Sequence, residues 1–357
     1  MTTDIIPGEI ADGPAAIRRT VAEARPGARD IAARLRRDGI RRIHVIGNGT
    51  SYHSSLAAAT LYGRHAGAGD QIVVPTTAGA FLTYPPVLDA GDAIVGISAS
   101  GEFRDVVAVA EAWRDRVPVV GIVHVPGSTL TRIATDVVLS SGGPSDVPVM
   151  TKTFSATLVA TEMLLLGLLG SERADGPIEQ IVRAADHAEA AIAAAEPLID
   201  AVAADLVDAA HVFVVGSGMA SIAALEAALK LKEMAIVHAE GTETWEMASG
   251  AATIVGPGTV VVALAPNGPG RAATADVVEH AAAWGARVIE VGPTALAPGS
   301  TLLPLSTEAI EDHAPLTAVP PIALLAFALA RRRGFDPDHP AWVERYHSQG
   351  LRHILGV

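Results

Sequence analysis

Two serines flank an alanine in Ser98-Ala-Ser-Gly-Glu102, directly after an apolar run that ends at Ile97. Hydroxyls and a glycine at the carboxyl end of a parallel strand stand where open α/β sheets bind ligands. Together with the N–H groups of the following helix they can donate to phosphate oxygens. Ser51, after Gly49-Thr50, would close such a cradle from the adjacent strand, and Thr151-Lys152-Thr153 opens a third helix with further donors. A single Ser or Thr at such a junction is ordinarily an N-cap. Three such junctions in one half of the chain favour phosphate binding. A second chemistry-bearing group lies far downstream, in Leu225–Glu240. Glu226, Lys230 and Glu233 share one helical face at i, i+4 and i+7, which reads as a solvated ladder of ion pairs on an exposed helix. This helix should instead pack in a core, where unpaired charge is costly. A Glu beside a Lys in a cleft is a candidate general base.

The elements that must position these residues occur twice. An apolar strand, a Gly/Ser turn and a helix appear at Ile43–Tyr52 and again at Val212–Ala220, 169 residues apart from Gly47 to Gly216. A strand that breaks at glycine and restarts as a helix presents free N–H groups and a positive helix end. The second copy reads as the weaker one. Its partner turn is Ala265-Pro-Asn-Gly-Pro-Gly270, and proline removes donors. Short apolar runs alternate with helices from Arg42 to Leu169, with strands expected at 42–46, 71–75, 93–98, 117–124 and 137–139. A helix over 14–38 is expected to break at Pro26-Gly27. Polar Gly170–Gly176 marks the best boundary, followed by a helix to Ala195 and another from Pro197. The second half predicts strands at 212–215, 260–264 and 287–291, helices at 220–237 and 272–284, and a closing helix at 315–332. The pattern is α/β: two tandem domains, each a parallel sheet flanked by helices, Rossmann-like and of flavodoxin type. The divisions are an N-terminal helical segment at 1–40, a phosphate-holding domain at 41–170, a helical linker at 171–200, a second domain at 201–335 and a tail at 336–357.

Composition bounds the partners. The 357 residues are 50% hydrophobic and 18% charged, so the chain is globular. A net charge of −13 argues against a nucleic-acid surface, without excluding a phosphorylated small molecule in a local pocket. Cysteine is absent, which removes disulfides, thiolate metal sites and cysteine nucleophiles. The glycine turns lack both a P-loop Lys and a G-x-G-x-x-G run, so neither metal nor nucleotide cofactor is expected. No signal peptide is visible. The longest apolar stretches, 164–170 and 317–330, fall short of the ~18 residues of a membrane span. A cytoplasmic protein that makes no membrane contact is the expectation.

These motifs resemble the SIS (sugar isomerase) domain family, and above all the isomerase half of glucosamine-6-phosphate synthase with its related deaminases and deglycases. Glu9–Pro14, Gly49–His53, Ser98–Glu102, Val125–Leu130, Thr151–Phe154 and Ala224–Glu233 match family segments in order along nearly the whole chain. The resemblance implies a homodimer of two-SIS-domain chains that binds a phosphorylated sugar, with Thr50, Ser51, Ser98 and Ser100 on the phosphate. It implies that Glu233 moves a proton between C1 and C2. The departures are specific. Phe103 stands where the phosphate turn usually ends in Thr, with Arg104 adjacent, and Ala99 replaces a polar residue inside the turn. Ser249 occupies the place of the ring-opening histidine, which leaves His238, His347 or Glu246 as helpers. The place of the imine-forming lysine falls near Arg345, and arginine cannot form an imine. Without a glutaminase domain or any cysteine, glutamine hydrolysis by the family's route is not expected. An isomerase, deaminase or deglycase is one reading; a non-catalytic sugar-phosphate sensor is the other.

Overall fold

The computed structural model describes residues 4–145 and 147–343. Residues 15–145 and 152–182 form one compact unit; residues 183–340, joined by 4–14 and 147–151, form a second. The chain opens with α1 (Ile5–Arg37), which runs unbroken through Pro26-Gly27. The break expected there does not occur. Ile17, Val21, Ala24, Ala28, Ile31 and Leu35 make a continuous buried stripe. Packing along such a stripe outweighs the lost N–H of one proline.

The first sheet follows. Its strands are β1 (Arg42–Gly47), β2 (Ile72–Thr77), β3 (Asp92–Ile97), β4 (Val119–Val123) and β5 (Asp136–Leu139). Between them lie α2 (Thr50–His65), α3 (Ala78–Thr83), α4 (Arg104–Trp113) and α5 (Thr129–Ile133). Every pairing is parallel, in the order β2-β1-β3-β4-β5. β3 and β4 are buried along their whole length, as expected for a parallel sheet covered on both faces. Then α6 (Lys152–Gly167) is buried at all sixteen positions. α7 (Ser171–Asp205) is one helix of 35 residues. The two helices expected to meet at Pro197 are therefore one, and Gly170–Gly176 is no extended break. Ile178, Ile181, Ala185, Ala188, Ala195, Ile199 and Val202 keep a buried stripe running past both Pro177 and Pro197.

The second sheet contains β6 (His211–Gly216), β7 (His238–Glu243), β8 (Val260–Leu264), β9 (Arg287–Gly292) and β10 (Thr301–Pro304). Its order, β7-β6-β8-β9-β10, repeats that of the first sheet strand for strand, and again every pairing is parallel. The helices are α8 (Met219–Ala235), α9 (Thr244–Ser249), α10 (Arg271–Ala283), α11 (Ala314–Thr317) and α12 (Val319–Arg332). Two strands, β7 and β10, lie outside the expected set. β7 reads His-Ala-Glu-Gly-Thr-Glu and is a half-exposed edge, so it carries no apolar run. The helix expected to reach Val237 ends at Ala235, because Ile236 turns left-handed at φ 51°. The helical run 311–332 spans 22 residues, longer than the apolar stretch counted from sequence, and is apolar enough to cross a membrane by composition. Most of it, 83% of the relevant window, is buried inside the protein, as in a core helix.

Candidate functional site

In a parallel sheet ordered 2-1-3-4-5, chain connections leave in opposite directions on either side of the first and third strands, and ligands bind above the carboxyl ends at that point. In the first sheet the point lies between β1 and β3. Gly47-Asn-Gly-Thr-Ser51 and Ser98–Phe103 leave those strands side by side, since Ile46 pairs with Gly96. The first turn needs both glycines. A Cβ on Gly47 would sit 2.7 Å from the Ser51 Cβ, and Gly49 has φ 52° and ψ −126°, a conformation open to glycine. Thr50 and Ser51, both buried, open α2.

The second turn is organised by its serines. The Ser98 hydroxyl oxygen accepts from the Gly101 N–H at 3.1 Å and the Phe103 N–H at 3.3 Å, and Ser100 Oγ accepts from the Glu102 N–H at 3.2 Å. These bonds within the turn use only the oxygen lone pairs. Neither hydroxyl proton meets an acceptor among the described residues. Glu102 faces away: its carboxylate accepts the Thr129 N–H at 2.7 Å, and hydrogen bonds from Thr129 hold it below the usual carboxylate range. The Phe103 ring packs against the core around Ile46, Val106 and Leu130, so its backbone N–H alone serves the turn. Ala99 is half-buried and brings no polar group. The structure thus brings Thr50, Ser51, Ser98, Ala99, Ser100 and Phe103 to one edge of one sheet. Thr151 belongs to the other unit, and its hydroxyl donates to the buried Glu9 carboxylate at 3.2 Å.

The corresponding point of the second sheet lies between β6 and β8. Gly216-Ser-Gly218 repeats the first turn, with Gly218 at φ 55° and ψ −127°. Here two carboxylates meet the turns. Glu243, register partner of Gly216, accepts from the Ser217 hydroxyl at 3.0 Å, the Thr244 hydroxyl at 2.8 Å and the Trp245 N–H at 2.6 Å. Burial raises its pKa, but these hydrogen bonds together outweigh burial and leave it below the usual range. Glu311 is buried and accepts the Gly270 N–H at 2.7 Å. Neither residue lies in a motif that the sequence singles out. An acidic residue shortly before the closing helix was the available signal for Glu311.

The charged face of α8 is a core network. Lys230, 1% exposed, lies 3.1 Å from Glu226 and 2.7 Å from Glu233. Desolvation by burial alone would lower the Lys230 pKa, but the two carboxylates outweigh it and raise the value, so the ammonium stays charged. Glu226 is fully buried, whereas the Glu233 side chain keeps 26% exposure and alone of the three reaches solvent. Ile236 follows, a β-branched residue in left-handed conformation, half-exposed three residues beyond Glu233. Ser249 ends α9 and donates its hydroxyl to the Trp245 carbonyl at 2.7 Å. Glu246 is exposed in the first turn of the same helix. His238 begins β7, at the opposite end of the strand from Glu243, with its ring against His211. His347 and Arg345 lie outside the described residues. Among the described residues no cluster of three His, Cys, Asp or Glu is arranged to hold a metal ion.

The SIS domain family profile matches residues 39–167 and 205–328, one match on each sheet. Glutamine–fructose-6-phosphate aminotransferase (isomerizing) of Methanothermobacter thermautotrophicus is 32% identical over 337 residues, 93% of this chain and 55% of the relative. The Pyrococcus horikoshii protein of the same name is 32% identical over 84% of this chain and 50% of its own. The chain therefore spans about half the length of these relatives. Among solved structures, the C-terminal domain of glucosamine-fructose-6-phosphate aminotransferase from Francisella tularensis superposes with a TM-score of 0.86 at 23% identity, covering 95% of this chain and 99% of that one. Tagatose-6-phosphate ketose/aldose isomerase from Escherichia coli has the same fold, with a TM-score of 0.75 at 17% identity over 94% of this chain and 96% of that one. Two profile matches, the duplicated sheet order and a relative above 30% identity agree: the chain belongs to the SIS domain family, as two tandem SIS domains.

Proposed function

We propose that this chain is a sugar-phosphate enzyme whose first SIS domain holds the phosphate of a hexose or amino-sugar 6-phosphate. Thr50, Ser51, Ser98 and Ser100 are the proposed phosphate ligands, assisted by the N–H groups that open α2 and α4. The observation that carries this reading is the pair of turn serines, Ser98 and Ser100, whose protons meet no acceptor among the described residues at the β1/β3 turns. Glu233 is the proposed base that moves a proton between C1 and C2, as an isomerase, deaminase or deglycase requires. Its partial exposure and its contact with a charged Lys230 suit a carboxylate that must take up and return a proton. A homodimer is part of the proposal, by likeness to the family.

One observation favours a second reading, a sensor that binds without turnover. The Ser249 hydroxyl, at the place of the family's ring-opening histidine, is engaged by its own helix. The test is a thermal-shift screen of hexose and amino-sugar phosphates, followed by NMR of any hit in heavy water. Ser98→Ala with Ser100→Ala should abolish the shift, and Glu233→Gln should abolish C2-proton exchange while leaving the shift intact. An unchanged shift in the serine variant refutes the phosphate site. A wild-type shift without exchange refutes the enzyme and leaves the sensor.

A further inference from the structure

The duplicated fold builds two anion cradles from one backbone plan. Gly49 and Gly218 agree within a few degrees in both dihedrals, φ 52° and ψ −126° against φ 55° and ψ −127°. Each precedes a helix of sixteen or more residues whose N-terminal N–H groups face the carboxyl edge of its sheet. The second cradle is nonetheless full. A Cβ added to Gly218 would overlap Glu311 Oε1, and one added to Gly268 would overlap Glu311 Cβ and lie 2.5 Å from its Oε2. A Cβ on Gly270 would lie 3.0 Å from the same oxygen. Three glycines therefore wrap one carboxylate, 8% exposed, and the Gly270 N–H donates to it at 2.7 Å. The serine of this turn is also committed, since Ser217 donates to Glu243.

We propose that Glu311 is the second SIS domain's own anion: its carboxylate occupies the phosphate place of the duplicated cradle and closes that cradle to phosphate. The first sheet repeats part of this arrangement and differs in part. Asn48, at the place of Ser217, donates to Asp105 at 3.3 Å, but Thr77 pairs with Gly47 where Glu243 pairs with Gly216. A carboxylate seated inside a cradle repels a phosphate dianion and holds the N–H group that the dianion would need. The duplication thus keeps one phosphate site per chain. A conserved backbone turn has been turned inward, to anchor the segment that leads into α11 and α12.

The experiment uses the full chain with Ser98 and Ser100 changed to alanine, so that the first cradle does not report. Inorganic phosphate is titrated by calorimetry and by phosphorus NMR line width. Adding Glu311→Ala should raise phosphate affinity at least roughly tenfold, about what one charge-assisted hydrogen bond contributes. Glu311→Ser removes the charge and shortens the side chain; it should give a similar gain and serves if the alanine variant does not fold. Glu311→Gln fills the cradle with an amide and should give none. Gly218→Ala should cost less beside Glu311→Ala than in the parent chain, because only the parent carries the overlap with Glu311 Oε1, whereas the left-handed strain of an alanine there is common to both. The proposal is overturned if folded Glu311→Ala and Glu311→Ser bind phosphate no better than the parent, or if Gly218→Ala costs the same in both backgrounds. Neither readout depends on what the first domain binds.

Discussion

Glu162 should make this protein lose stability as the pH rises through the neutral range. It lies in α6, where every residue is buried, and is itself 2% exposed. Its Oε2 has no hydrogen-bond partner among the described residues. Burial alone pushes its pKa up to about 8 from 4.5. In the unfolded chain the carboxyl ionises above about pH 4.5, whereas the folded chain keeps its proton to about pH 8. Between those limits folding takes up a proton, so stability falls with rising pH, by about 1.4 kcal/mol per unit. The contribution is absent below the lower limit and complete above the upper one. A span of about 3.5 units corresponds to a fall of about 5 kcal/mol. Glu162→Met keeps the length and helical preference of the side chain and removes the titration. In urea titrations from about pH 5 to about pH 8, the variant should gain on the wild type by about 1.4 kcal/mol per unit. Any packing difference adds a constant offset, and every other titrating group is common to both proteins. A gap between variant and wild type that stays constant over that range would refute the buried, protonated Glu162.

Two further predictions concern α8. Ile236→Gly should stabilise the protein by about 1 kcal/mol in urea unfolding, because a β-branched residue in left-handed conformation is strained and glycine is not; a loss of stability would mean that its half-exposed side chain makes contacts worth more than the strain. Lys230→Met should cost about 3–5 kcal/mol, since it removes the ammonium that both Glu226 and Glu233 contact inside the core. The loss should shrink in acid, where the carboxylates left behind take up protons; a cost under about 1 kcal/mol at neutral pH would contradict a coupled network.

The first sheet is legible in the sequence almost residue by residue, and the second is not, for a physical reason. Buried parallel strands such as β1, β3 and β4 must be apolar on both faces, so Ile43–Ile46, Ala93–Ile97 and Val119–Val123 announce themselves. β7 is an edge strand with alternating exposure, built of His, Glu and Thr, and nothing in its composition separates it from a loop. The breaks expected at Pro26 and Pro197 fail for the opposite reason. A proline is read locally, but a buried stripe running 33 or 35 residues is a non-local fact that outweighs it. Family membership was legible because Ser98–Glu102 and Ala224–Glu233 are dense motifs in the right order. Glu311 was not legible, since its partners Gly218, Gly268 and Gly270 lie 41 or more residues away and become its neighbours only once β6, β8 and the loop before α11 are assembled.

That failure bears on how such turns are read. The strand–Gly-x-Gly–helix signal marks a backbone shape, and both copies have it to within a few degrees. That shape turns the same N–H groups and the same helix end toward the edge of each sheet, the arrangement to which anions are attracted. What distinguishes the copies is occupancy. In the first, Ser98 and Ser100 accept the turn's N–H groups with oxygen lone pairs, and neither hydroxyl proton meets an acceptor among the described residues. In the second, Glu311 accepts the Gly270 N–H and fills the space beside Gly218. A buried carboxylate at a cradle is therefore evidence about ligands as direct as a serine: it says that the anion is already present. The Gly-x-Gly turn finds the place, and the nearest acidic side chain decides whether the place is open.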